Sequence, residues 1–132
     1  MRRGSGTYAG SYAERVELGN QVQDALEQFT DKVRRRLRGV LVILFGSYVD
    51  GSFRLDSDVD VLVVADLPAE KRRPFLLRSL HEFPVRLQAF GYTLEKFLEM
   101  VKNDKTIARV ALIDGRILHI DPNYCKQLLA AL

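Results

Sequence analysis

Tryptophan is absent from this sequence, cysteine occurs once, methionine and histidine twice each, and proline four times. The lone thiol, Cys125, leaves no partner for an intrachain disulfide, and a cytoplasmic setting is the expectation for such a chain. His81 and His119 stand far apart with no cysteine or histidine at zinc-ligand spacing, which argues against a zinc framework. Long apolar runs are missing too. The stretches 40–45 and 61–65 fall well short of the ~20 residues that cross a bilayer as a helix, so no membrane span is expected. The opening MRRGSGTYAGSYAE has no apolar stretch of the secretory kind and reads as a small, polar, flexible tail over residues 1–13.

A large charge of one sign is also absent. Twenty basic residues against 17 acidic leave a net charge of +3. Part of that excess sits in KVRRRLR, residues 32–38, which could meet nucleic acid but reads better as the solvated face and C-terminal turn of a helix, where cations complement the dipole. What remains is ordinary globular usage, 47% hydrophobic and 28% charged. At 132 residues that is one domain, taken here as 14–132, with no repeats and no dividing linker.

Apolar residues at Val22, Leu26, Phe29, Val33 and Leu37 recur at helical spacing and predict a helix over 14–38, closed by Gly39. VLVILF at 40–45 suits a strand covered on both faces. A loop of about a dozen residues leads to a second strand at 58–65. Pro68 opens a helix to about Leu80, and a third strand is expected at 85–92, then a helix at 94–103 capped by Thr93. A helical turn, a short strand at 117–120 and a last helix complete an α/β (α+β) class with one small mixed sheet packed against helices.

The chemistry is concentrated in LFGSYVDGSFRLDSDVDVLVVAD, residues 44–66. Strand side chains alternate, so Asp58 and Asp60 share one face while Val59, Val61 and Val63 take the other. Two carboxylates so placed can converge on a hard cation such as Mg2+. Gly46 and Ser47 leave the first strand directly, where glycine lets a backbone N–H approach a phosphate and Ser47 adds a hydroxyl. Together these make a site for a nucleoside triphosphate. An EF-hand starting at Asp56 fails because Val61 and Leu67 stand where glycine and glutamate are required. A P-loop fails because Ser52 and Phe53 replace the lysine and the hydroxyl residue. A plain turn with solvated aspartates accounts for the D-x-D but not for its co-occurrence with the glycine–serine pair.

Gly46-Ser47, ten intervening residues and Asp58-Val59-Asp60 resemble the signature of the nucleotidyltransferase superfamily related to DNA polymerase beta, and the chain's size is similar to its minimal nucleotidyltransferases. The resemblance implies transfer of a nucleoside monophosphate, with AMP from ATP favoured, to an acceptor hydroxyl. It implies Gly46, Ser47, Ser57 and Arg54 at the nucleotide, and Asp58 and Asp60 as catalytic metal ligands for two Mg2+ ions. Relatives commonly carry a third carboxylate on the next strand. Aligning on Tyr92-Thr93 puts Gln88 there, and Asp50 stands where a basic residue is frequent. An acceptor surface supplied by a partner is expected, and in this family that partner is often a HEPN protein of a toxin–antitoxin pair. A nucleotide-binding antitoxin acting by occlusion is the alternative, and exposed helix faces leave room for a homo-oligomer.

Overall fold

The computed structural model describes residues 10–68, 71 and 83–131. Its first helix, α1, spans Tyr12–Arg36. Ser11 and Glu14 form a reciprocal cap: the Ser11 hydroxyl accepts from the Glu14 N–H at 3.1 Å, and the Ser11 N–H donates to Glu14 Oε1 at 2.9 Å. That cap starts the helix two residues before the expected Glu14, so Tyr12 and Ala13 belong to α1 and not to the expected tail. At the other end Leu37 is already extended. Gly39 therefore does not close the helix; it turns the chain into the sheet at φ +56°, with the Tyr124 hydroxyl occupying the space a Cβ would need.

Four strands follow: β1 Leu41–Phe45, β2 Val59–Val64, β3 Leu87–Tyr92 and β4 Arg116–Ile120. Their spatial order is β3-β2-β1-β4. β1 runs antiparallel to both neighbours, and β2 and β3 are parallel, which makes the sheet mixed. One helical turn, α2 (Ser47–Asp50), sits in the expected loop. Helices α3 (Leu94–Lys102), α4 (Thr106–Asp114) and α5 (Pro122–Ala131) complete the described elements. α4 is longer than the single turn expected, and the helix predicted from Pro68 to Leu80 lies largely outside the described residues.

Both faces of the sheet are covered, as the continuous apolar strands require. Val42, Leu44, Val59, Val61 and Val63 pack on the α1 stripe of Val22, Leu26, Phe29 and Val33. Leu41, Ile43, Leu62 and Val64 pack on Phe97, Met100, Ala108, Ala111 and Leu128 from the last three helices. Among the described residues, no helix is long and apolar enough to cross a membrane.

Candidate functional site

The site lies at the sheet end where β1 exits and β2 and β3 enter. Asp60 pairs across β1 with Phe45 and across β3 with Gln88. Strand alternation puts Asp60 on the face of Leu62 and Val64, opposite the α1 face, while β2 begins one residue later than expected, so Asp58 stands just before the strand, close enough for its charge to act on Asp60. Gln88 shares that face, in register beside Asp60, so the side chain next to the Asp60 carboxylate is a neutral amide. One step before the paired register, Arg86 O accepts from the Val59 N–H at 2.9 Å, and Arg86 Nη1 lies 3.9 Å from Asp58 Oδ2. With the arginine 75% exposed, this long pair contributes little to stability.

Asp60, across the ladder from Phe45, is half-buried. Burial raises its pKa from the ordinary carboxylate range, and the neighbouring Asp58 charge raises it further. Two carboxylates on one face, one of them held at a cost as an anion, form an oxygen donor set that fits a hard divalent cation retaining water or phosphate oxygens. No cluster of three or more acidic, histidine or cysteine residues suited to a metal occurs among the described residues.

Gly46 closes the site from the β1 side. Its φ of +88° and ψ of −159° are a conformation open essentially to glycine alone. A Cβ there would meet Asp60 Oδ2 at 2.8 Å, so the glycine both turns the chain and makes room for the carboxylate. Ser47 follows as the first residue of α2. At the far side of the loop, the Arg54 N–H donates to Ser57 Oγ at 2.8 Å while the Ser57 N–H donates to Arg54 O at 3.1 Å. Ser57 thus closes the turn that delivers Asp58. The Arg54 side chain is exposed beside it. Asp50 is bonded back to Ser52: its Oδ1 accepts from the Ser52 N–H at 2.9 Å, and Ser52 holds its pKa low.

The loop's anchorage escaped the sequence reading. Phe53 stacks on Tyr48, centroids 4.1 Å apart and planes at 9°, and lies against Gly19 of α1. Leu55 fills the space beside Gly10. The alternation Phe53, Leu55 between polar neighbours was the available signal: a loop that buries every second residue is fastened down. A cavity of about 360 Å³ lined by Gln23, Thr30, Arg34 and His119 lies between α1 and β4, away from the carboxylates.

Residues 26–119 match the model of the nucleotidyltransferase domain. The Methanocaldococcus jannaschii protein named "Putative protein adenylyltransferase" is 27% identical over 99 residues, covering 74% of this chain and 97% of that protein. A crystal structure described as a "putative nucleotidyltransferase" from Sulfolobus solfataricus superposes with a TM-score of 0.57 at 17% identity, covering 84% of this chain and 91% of that one, a likeness of fold. A chain from a toxin–antitoxin structure with AMP-PNP gives a TM-score of 0.45 at 16% identity, covering 85% of this chain and 84% of that one, too low for anything to carry over.

Proposed function

The chain belongs to the nucleotidyltransferase domain family, and on that premise we propose that it transfers a nucleoside monophosphate, AMP from ATP in the favoured case, to an acceptor hydroxyl. Asp58 and Asp60 hold Mg2+ in this reading, and Gly46, Ser47, Ser57 and Arg54 face the triphosphate. The observation that carries it is the approach of Gly46 to Asp60, which puts a phosphate-accessible backbone turn directly against a metal-competent carboxylate pair. The relative named as a protein adenylyltransferase supports a protein side chain as the source of the hydroxyl.

In the reaction the acceptor oxygen bonds to the α-phosphorus, the bond from that phosphorus to the bridging oxygen breaks, and pyrophosphate leaves. Bound Mg2+ supplies Lewis-acid stabilisation of phosphate charge. The chain's own residues position: the Gly46–Ser47 turn and Arg54 orient the triphosphate, and the Ser57 turn fixes Asp58. An amide cannot take the hydroxyl proton, so Gln88 is no base; in this reading the proton is released to water.

A ligand-induced thermal shift tests the site, with each of the four triphosphates, with and without Mg2+, on wild type and on Asp58→Asn/Asp60→Asn. A metal-dependent shift present in wild type and lost in the variant is expected. No shift with any nucleotide would sink the reading.

Gln88 favours a second reading, in which the chain keeps a nucleotide pocket and neutralises a partner by occlusion. The two readings share a cytoplasmic partner, a HEPN-type protein by family resemblance. They part in one experiment: the double asparagine variant abolishes transfer but leaves occlusion intact. A monomeric elution profile after co-expression with the neighbouring gene product would count against a partner altogether.

A further inference from the structure

The expected pair of Mg2+ ions meets a donor set built for one. Among the described residues, Asp58 and Asp60 are the acidic side chains that share this face at the sheet end, and β3 with the residue before it lays a different group beside each. Gln88 is in register with Asp60, and Arg86 stands beside Asp58 with its guanidinium 3.9 Å from the carboxylate. Resting on the nucleotide-site reading above, we propose that this chain works with a single divalent cation, held by Asp58, Asp60 and the triphosphate, and that Gln88 and Arg86 exclude a second.

The argument is one of ligands and of charge. A second hard cation within ~4 Å of the first needs anionic oxygen of its own besides shared carboxylates. The side chain in register beside Asp60 offers a neutral amide oxygen, a weaker ligand than a carboxylate. On the Asp58 side the neighbour is a fixed cation, because a guanidinium does not lose its proton in a protein. Arg86 is exposed and keeps its positive charge beside the Asp58 carboxylate, where a second cation would have to approach.

Equilibrium dialysis of Mn2+ against the wild-type chain saturated with α,β-methylene ATP, which cannot undergo the transfer, counts the ions retained with the protein. One Mn2+ per chain is expected. Two per chain would overturn the single-ion proposal while leaving the nucleotide site standing, and none would overturn the site itself. Gln88 is exposed, so Gln88→Glu is tolerated by the fold and gives two ions per chain; a count that stays at one removes Gln88 from the proposal. Adding Arg86→Gln to Gln88→Glu tightens the second ion about tenfold, the order for a +1 charge facing a +2 charge across roughly 6 Å of water. An unchanged affinity would remove Arg86.

Discussion

Gly46 and Asp60 touch in a way that no other residue at position 46 permits: a Cβ would stand 2.8 Å from the carboxylate oxygen, at a φ of +88°. Gly46→Ala therefore carries a backbone cost of about 1–3 kcal/mol and pushes the Asp60 carboxylate off its position. Urea unfolding should report the loss of stability, and the Mg2+-dependent nucleotide shift should disappear. An alanine variant with unaltered stability and an intact shift would mean that the turn relaxes without moving Asp60.

The Asp60 pKa gives a pH signature in the metal-free protein. Burial, and then Asp58, lift its folded pKa above the unfolded value, so between the two values the folded state binds more protons. Stability from this group is lost as pH rises through that window, and the full penalty is present at neutral pH. Asp60→Asn removes the penalty. In chelator at pH 7 the variant should be the more stable protein, and its advantage should shrink on acidification and vanish below the unfolded value of about 3.9. Unfolding curves across the acidic range check this; an asparagine variant that is less stable at pH 7 contradicts the sign.

Much of this site can be read in the sequence because strand alternation is a strong constraint. Once 58–65 is a strand with buried valines, Asp58 and Asp60 have one face available, and the register adds only that Gln88 lies beside them. The end of α1 is less legible: glycine at 39 suggests a helix stop, yet the chain is already extended at Leu37, and the glycine serves the Tyr124 packing instead. The Ser11–Glu14 cap is a local signal hidden in a stretch whose composition suggests a tail. The Phe53 and Leu55 anchors depend on Gly19 and Gly10, more than thirty residues away, and no local pattern names such a partner.

That anchorage predicts the effect of Phe53→Ala. The ring is half-buried and stacked on Tyr48, so its removal should cost about 2 kcal/mol, roughly half the loss of a fully buried phenylalanine. Because the loop ends at the Ser57 turn and Asp58, nucleotide affinity should fall as well, and Phe53→Tyr should restore most of both. Thermal melts with and without Mg2+ and nucleotide separate the two effects. Full stability with lost binding would mean that Phe53 contacts ligand and does not anchor the loop.

Tyr124 is 4% exposed, its hydroxyl has no hydrogen-bond partner, and its pKa is pushed up to about 12 by burial, then by Asp66 and Asp121. Tyr124→Phe removes an unpartnered polar group and should leave stability unchanged or raise it by up to about 1 kcal/mol. Wild type should also lose stability from about pH 10 upward, where the unfolded phenol ionises first. The phenylalanine variant should lack that component. Parallel alkaline unfolding curves for the two proteins would remove the burial argument.

Arg36 and Arg38 sit at the opposite end of the sheet from the carboxylates. α1 ends there, and the Arg38 carbonyl accepts from the Asp66 N–H at 2.9 Å, beyond the Leu41–Val64 pair, while Asp60 lies at the Phe45 end. Arg36→Ala/Arg38→Ala should therefore cost only the helix-terminus interaction, about 0.3–1 kcal/mol, and leave the Mg2+-dependent nucleotide shift as in wild type. The same variant tests the basic segment as a nucleic-acid contact: if wild type binds labelled RNA with an affinity that falls steeply with salt, the variant should lower that slope by about two. Loss of the nucleotide shift in this variant would place the triphosphate at the wrong end of the sheet and undo the assignment of Gly46 and Ser47.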